Sequence, residues 1–394
     1  MTAPLTGIRV IDATNVLAGP YCTYQLTLLG AEVIKIERPG SGDLARQLGA
    51  DPARNRSNMG ISFLAQNAGK SSVTLNLKDP RGQDILKQLV ADADVFVENY
   101  RPGVLDRLGV GYDAFSAVNP QLIYCAISGF GQDGPWRDNP AYDQIVQGIA
   151  GVMSITGSAE ATPLRVGYPL GDTIGGMTAA FAISAALNAK PRGTFLDISM
   201  TEAVLSTMGW VVSNHLVGGI TPAAHGNENP TSAPSGTFRT GDQPVNIAAN
   251  KYDQWVILTD VLGCPDLRAL PEYATREDRK ANRDKLRARL EETLMQKPAA
   301  HWVEALNAKG VPCGPVLTVP QILQSEQVQG RALIADVEAQ QETLRLTASP
   351  VRMDGARPCP DTPPPELGAH TRDVLGGLGL SATEIKTLKA EGVI

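Results

Sequence analysis

Apolar runs of two different periods take turns along the first part of the chain. "IRVIDA" reads as a buried strand, "PYCTYQLTLLG" as a helix closed by Gly30, and "EVIKIE" as the next strand. "SVTLNL" is another strand, and "PRGQDILKQLVADA" a helix with Pro80 in its first turn. "DVFVEN" and "LIYCAIS" follow as strands, with a short helical piece around "GVLDRLG" between them. Strands that alternate with helices at this spacing predict a parallel, doubly wound α/β sheet. Such sheets take their ligands in the crevice beyond the carboxyl ends of the strands.

The chain has 394 residues, more than one core usually organises, so a second unit is expected. The texture changes at "HGNENPTSAPSGTFRTGDQPV", a polar stretch rich in Gly, Pro and Asn. Beyond it lie the strand "VNIAAN", the helix "KYDQWVILTDVLG" and the charged helix "REDRKANRDKLRARLEETLMQ", whose acids interrupt its bases as on a solvated face. A Pro-rich stretch and two short helices end the sequence.

Charge and composition exclude several classes. A net charge of -6 argues against a nucleic-acid partner, which would want clustered Lys and Arg. No apolar run approaches the roughly 20 residues of a membrane span, and "MTAPLTGIRVIDAT" has no basic and apolar leader, so a cytoplasmic location is expected. Five scattered cysteines and four scattered histidines show no metal-ligand spacing, and no metal is expected.

Glu37 ends the second strand where a ribose-binding acid would sit, yet "NVLAGPYC" lacks the G-x-G-x-x-G of nicotinamide binding. Neither Ser128 nor Ser158 stands in a nucleophile elbow. "PGSGD" and "NAGKSS" lack the spacing of a phosphate loop. What remains is one carboxylate in "RVGYPLGDTIGG". Asp172 precedes the apolar run "MTAAFAISAAL", so it reads as the N-cap of a helix beginning at Thr173. A carboxylate kept ionised at a helix start can also be a nucleophile, and the pattern alone leaves both roles open.

The segments "GIRVIDATNVLAGPYCTYQLTLLGAEVIKIERPGSGD", "KSSVTLNLKDPRGQDILKQLVADADVFVENYRPGVLDRLG", "AISGFGQDGP", "VGYPLGDTIGG", "GVPCGPV" and "LGAHTRDVL", in this order, resemble the class III coenzyme A transferase family, which includes formyl-CoA and carnitine-CoA transferases. The resemblance implies that Asp172 is a covalent nucleophile. It would attack an acyl-CoA thioester, pass through an aspartyl anhydride and an aspartyl-CoA thioester, and deliver CoA to an acceptor acid without metal or ATP.

The same resemblance implies a CoA groove touched by Arg38, by Leu75 to Lys78, by Asn99, Tyr100 and Arg101, and by Arg107. Leu75 and Leu77 also read as core strand residues. Val16, Leu17 and Ala18 match the turn facing the reacting centre, with Leu17 where formyl-CoA transferase has glutamine, which counts against formyl-CoA and oxalate. Tyr142 and Asp143 match positions beside the nucleophile. Alpha-methylacyl-CoA racemase carries a histidine in this stretch, so Tyr142 disfavours racemisation.

The fold so implied is a Rossmann-like large domain, residues 1–200 with 330–394, and a smaller α+β domain, residues 225–329. Linkers over 201–224 and about 325–350 join them, and two chains interlock as ringed homodimers. The loop at 225–236 stands where relatives cover the active site. Succinyl-CoA is the expected donor and a small dicarboxylate, such as itaconate, mesaconate, malate or citramalate, the expected acceptor. Arg165, His225, Asn227 or Arg239 could meet the second carboxylate. A catalytically silent CoA-binding protein is the alternative from another class.

Overall fold

Strands that are buried on both faces need helices on both faces, and the first sheet meets that demand. β4 (Val95–Glu98) and β5 (Ile123–Ser128) are buried at every position. With β1 (Arg9–Ala13), β2 (Glu32–Glu37), β3 (Ser71–Thr74) and β6 (Thr194–Ser199) they form one sheet in the order β3-β2-β1-β4-β5-β6. Every neighbouring pair is parallel. The chain winds outward from β1 to β3 and then returns to the other side of β1 as β4. The loops after β1 and β4 therefore diverge, leaving a crevice at the carboxyl ends. The computed structural model describes residues 3–339 and 342–394.

The chain falls into two compact units. The first holds residues up to Val152, Arg165–Ile220 and Gln327–Ile394, and the second Met153–Leu164 and Thr221–Glu326. Sequence reading places 153–164 in the large unit, because "DQIVQGIAGVMSITG" scans as one apolar helix. Gly151, at a φ of 82°, separates the helix Asp143–Ile149 from the short turn Val152–Ile155. In the second unit Gly226 donates its N–H to the Gly157 carbonyl at 2.6 Å. The expected linkers are also structured. Residues 201–224 carry most of the helix Met200–Thr207 and all of Gly209–Leu216. Residues 325–350 carry the hairpin Ile334–Glu338 with Thr343–Thr347. Residues 340 and 341 of that stretch lie outside the described residues.

One face of the six-stranded sheet is an aliphatic and aromatic core. Ile11, Ile34, Val73 and Phe96 meet Leu86 and Leu89 of the helix Pro80–Ala91. That helix starts where it does because Pro80 fixes φ and the Asp79 carboxylate accepts the Arg81 N–H at 2.9 Å. Leu375, Val393 and Ile394 from the far end of the chain join this core.

On the other face the helix Ala18–Leu28 packs against Leu170–Ala186. Gly176 permits this approach, since a Cβ there would lie 2.4 Å from the Ala18 carbonyl oxygen. One turn before that contact stands Asp172. Small residues here serve to bring the start of one helix against the start of another.

The second unit has an antiparallel sheet, Ser235–Phe238, Val245–Ala248 and Cys313–Pro315. Trp255, Leu286, Leu290, Leu294 and Trp302 fill its core. Among the described residues no helix is long and apolar enough to cross a membrane.

Candidate active site

Asp172 is not the cap that the local pattern predicts. The helix begins at Leu170, with Pro169 at the capping position, so Asp172 is its third residue. Pro169 presets the entry of the chain and Gly171 leaves room for a close neighbour. The unpaired N–H of Gly171 is taken by a different carboxylate, Asp143, at 2.7 Å. Asp143 also accepts from Gln147 Nε2 at 2.8 Å and pairs with Arg165 at 3.3 Å. The capping duty is thereby discharged from another helix, and Asp172 is left over. Among the described residues its carboxylate has no hydrogen bond and no ion pair.

That carboxylate lines a cavity of about 230 Å³ at the crevice between the β1 and β4 loops. Whole-ligand pockets usually span roughly 300–1,000 Å³, so this space suits one end of a longer molecule. Burial, assisted by the charge of Asp143, raises the Asp172 carboxyl to about 7. A partly desolvated carboxylate with no competing partner is a strong nucleophile once ionised.

The cavity gathers eight of the thirteen residues expected from the sequence: Val16, Leu17, Ala18, Asn99, Tyr100, Arg101, Tyr142 and Asp172. Their roles there differ. The Asn99 amide is occupied, donating to the Asn15 carbonyl and accepting its N–H, both at 2.8 Å. It shapes the cavity wall rather than reaching into it. Tyr142 is 68% exposed.

Asp143 lies outside the cavity lining, as the carboxylate that caps the Asp172 helix. Arg38, Lys78 and Arg107 are exposed, and they follow β2, β3 and β4 at the same edge of the sheet. Leu75 is 2% exposed within the core, so its side chain is unavailable to any ligand.

Sequence reading missed Arg137. It lines the cavity, and its buried Nε has no hydrogen-bond partner. It sits between two stretches that carried a signal, "AISGFGQDGP" and "NPAYDQIVQG", in a polar loop that carried none. Of the acceptor candidates, Arg165 alone belongs to the unit that holds Asp172. Asn227 lines a separate cleft in the second unit, Arg239 pairs with Glu291 at 2.7 Å, and His225 is exposed.

Substitution at Asp143 tests the electrostatics. Asp143→Asn keeps an oxygen for the Gly171 N–H but removes the charge beside Asp172. The Asp172 carboxyl should then move down toward its ordinary value, though only in part, because burial is the larger cause. A group that must be ionised to react gives a rate that rises with pH through its pKa. The acid limb of kcat/KM should therefore lie near pH 7 in wild type and at lower pH in Asp143→Asn. An unmoved limb would show the two carboxylates to be uncoupled.

Known proteins resemble the chain throughout. The model of CoA-transferase family III matches residues 5–371. An acetyl-CoA:oxalate CoA-transferase of Acetobacter aceti is 39% identical over 377 residues, 95% of this chain and 94% of the relative. A succinyl-CoA:glutarate CoA-transferase of Mus musculus is 35% identical over 398 residues, 99% of this chain and 90% of the relative. Among solved structures, a CAIB/BAIF family protein from Brucella suis aligns with a TM-score of 0.85 at 32% identity, covering 96% of this chain and 100% of that one. Because the match runs through both units and through every segment that lines the cavity, this chain belongs to CoA-transferase family III.

Proposed function

We propose that the protein transfers CoA from an acyl-CoA donor, succinyl-CoA foremost, to a small dicarboxylate, with Asp172 as the covalent nucleophile. The observation that carries this reading is a single unpaired, partly desolvated carboxylate facing a cavity that Arg101 and Arg137 also line. The arginines suit an anionic ligand.

An Asp172 oxygen attacks the thioester carbonyl, the C–S bond breaks, and CoA leaves as thiolate, giving a mixed anhydride. The thiolate then attacks the Asp172 carbonyl of that anhydride and releases the donor as a carboxylate. The acceptor carboxylate attacks the resulting aspartyl thioester and expels thiolate again. Thiolate attack on the acceptor's acyl carbon forms the new thioester and frees Asp172. Protons balance throughout, and each activated bond is exchanged for another, so the chemistry requires neither metal nor ATP.

The relatives' names support a dicarboxylate, and the Acetobacter protein keeps oxalate among the acceptors to be tried in spite of Leu17. Among the described residues no histidine lines the cavity, which leaves racemisation without its proton carrier. We infer a homodimer as well. Phe181, Trp210, Leu216 and Val217 are 74–89% exposed, large apolar side chains that a second copy would cover.

Incubation with succinyl-CoA and oxalate, glutarate, itaconate, mesaconate, malate and citramalate in turn, read by mass spectrometry, should give a new thioester for at least one acid. Transfer should survive chelator and need no ATP. A strict demand for either would point to a ligase. Binding of CoA without any exchange across the panel would mark a silent binder.

A further inference from the structure

The turn Thr14–Val16 leads into the lining of the Asp172 cavity, and its backbone polar groups all bond to side chains. The Thr14 N–H donates to Asp12 Oδ1 at 3.0 Å, and its carbonyl accepts from Lys35 Nζ at 2.8 Å. Both backbone groups of Asn15 go to Asn99. The Val16 N–H donates to Asp43 Oδ1 at 2.9 Å, and its carbonyl accepts from Gln66 Nε2 at 2.7 Å. Buried backbone groups are usually satisfied by other backbone. A turn satisfied six times over by side chains is built from outside itself.

Val16 explains the need. Its φ is 67°, in the left-handed region, where a β-branched side chain is a true outlier. Such strain persists only where the surroundings over-determine it. Asn15, Val16, Leu17 and Ala18 line the cavity together with Asp172. Gln66 and Asp43 are 5% and 1% exposed and are absent from that lining, so they act through the turn they hold and not by touching a ligand.

The stretch that failed as a phosphate loop, "NAGKSS", follows Gln66 directly. It is anchored beneath the turn, with Lys70 Nζ bonded to Asp12 at 3.1 Å, Asn67 at 2.9 Å and Thr23 at 2.8 Å. Lys35 bridges Asp43 at 2.9 Å and the Thr14 carbonyl. The anchors come from separate parts of the chain and converge on one strained peptide.

We propose that Gln66, with Asp43, is a positioning residue of the transfer reaction: it holds Val16 in the left-handed conformation and so fixes the part of the cavity wall that Asn15–Ala18 contribute beside Asp172. The proposal rests on the transferase reading above. A wall displaced by about 1 Å can lower turnover on the order of a hundredfold when the reacting groups must be aligned. Binding of the remote nucleotide end would be spared.

Gln66→Leu removes the donor and keeps the bulk. Its kcat should fall at least about tenfold, with KM for succinyl-CoA within about threefold of wild type. In a Val16→Gly background, where positive φ carries no strain, the same substitution should lose much less. Gln66→Glu supplies a donor only when protonated, so its kcat relative to wild type at each pH should rise as pH falls. An equal loss with and without Val16→Gly, or kcat within about twofold of wild type in Gln66→Leu, would overturn the proposal.

A crystal structure of Gln66→Leu, or of Gln66→Glu should the first not fold, decides independently of activity. Val16 should leave positive φ. A Val16 that stays there would sink the positioning role even if the wild type transfers nothing, whereas an inactive wild type with a relaxed Val16 would sink only the transferase reading.

Discussion

Asp172→Asn should lose at least about a thousandfold in turnover and yet be the more stable protein at pH 8. An amide cannot form the anhydride, so loss of activity follows directly from the proposed chemistry. The gain in stability follows from the raised pKa. The carboxyl titrates near 3.8 in an unfolded chain and at about 7 in the fold. Between those values the native state binds more protons than the unfolded state, so stability falls as pH rises. Above about pH 7 the ionised carboxylate destabilises the fold by its full amount, of order a few kcal/mol for a shift of this size.

The amide of the variant carries no charge and escapes that penalty. The difference between variant and wild type should open from about pH 4 and be complete above pH 7. Denaturant unfolding at a series of pH values measures it, with deamidation back to Asp excluded by mass. A variant that turns over normally would remove Asp172 from the chemistry. One that is no more stable at pH 8 would show the carboxylate to be well solvated, or paired by a neighbour.

What the sequence made legible were features carried by adjacent residues. β4 and β5 are continuous apolar runs because helices cover both faces, and such runs stand out without any partner being known. Asp79 and Pro80 announce their helix from within one turn. Asp172 was legible as a carboxylate of interest, but its role at the helix start was not. The carboxylate that caps the helix, Asp143, lies 28 residues before the Gly171 N–H it accepts, and nothing in "GYPLGDTIGG" reveals it. The clamp on Val16 was hidden for the same reason, since Asp43 and Gln66 lie 27 and 50 residues away. Polar side chains that act across the fold leave no periodic trace. Leu75 shows the converse: its place in a motif suggested a ligand contact, while its place in a strand put it in the core.

Lys35→Met should destabilise the protein by about 3–5 kcal/mol, the range expected when one partner of a buried ion pair is removed. Lys35 is wholly buried in the middle of β2. Burial alone would push its ammonium down, but Asp12, Asp43 and Glu37 outweigh that and hold it above its ordinary value. In the same way Lys35 and Lys70 overcome the burial of Asp12 and keep it well below the usual carboxylate range. Methionine fills the space of the lysine stem, so little packing is lost. What is left behind is the carboxylate of Asp43, fully buried and deprived of the only cation within ion-pairing distance among the described residues.

The sign of the pH dependence separates this cause from a packing defect. An uncompensated buried carboxylate takes up a proton readily, so the deficit should shrink as pH falls, whereas lost packing would be indifferent to pH. Arg54→Ala is the control, because the Arg54 pair with Glu342 is exposed and such pairs contribute about 0–1 kcal/mol. Asp43 also holds the Val16 N–H, so whatever fraction of Lys35→Met folds should turn over slowly. Unfolding midpoints for the two variants at pH 5 and pH 8 decide the matter. A deficit under about 1 kcal/mol, or one that does not change with pH, would mean that the buried charges beneath the active-site turn are compensated without Lys35.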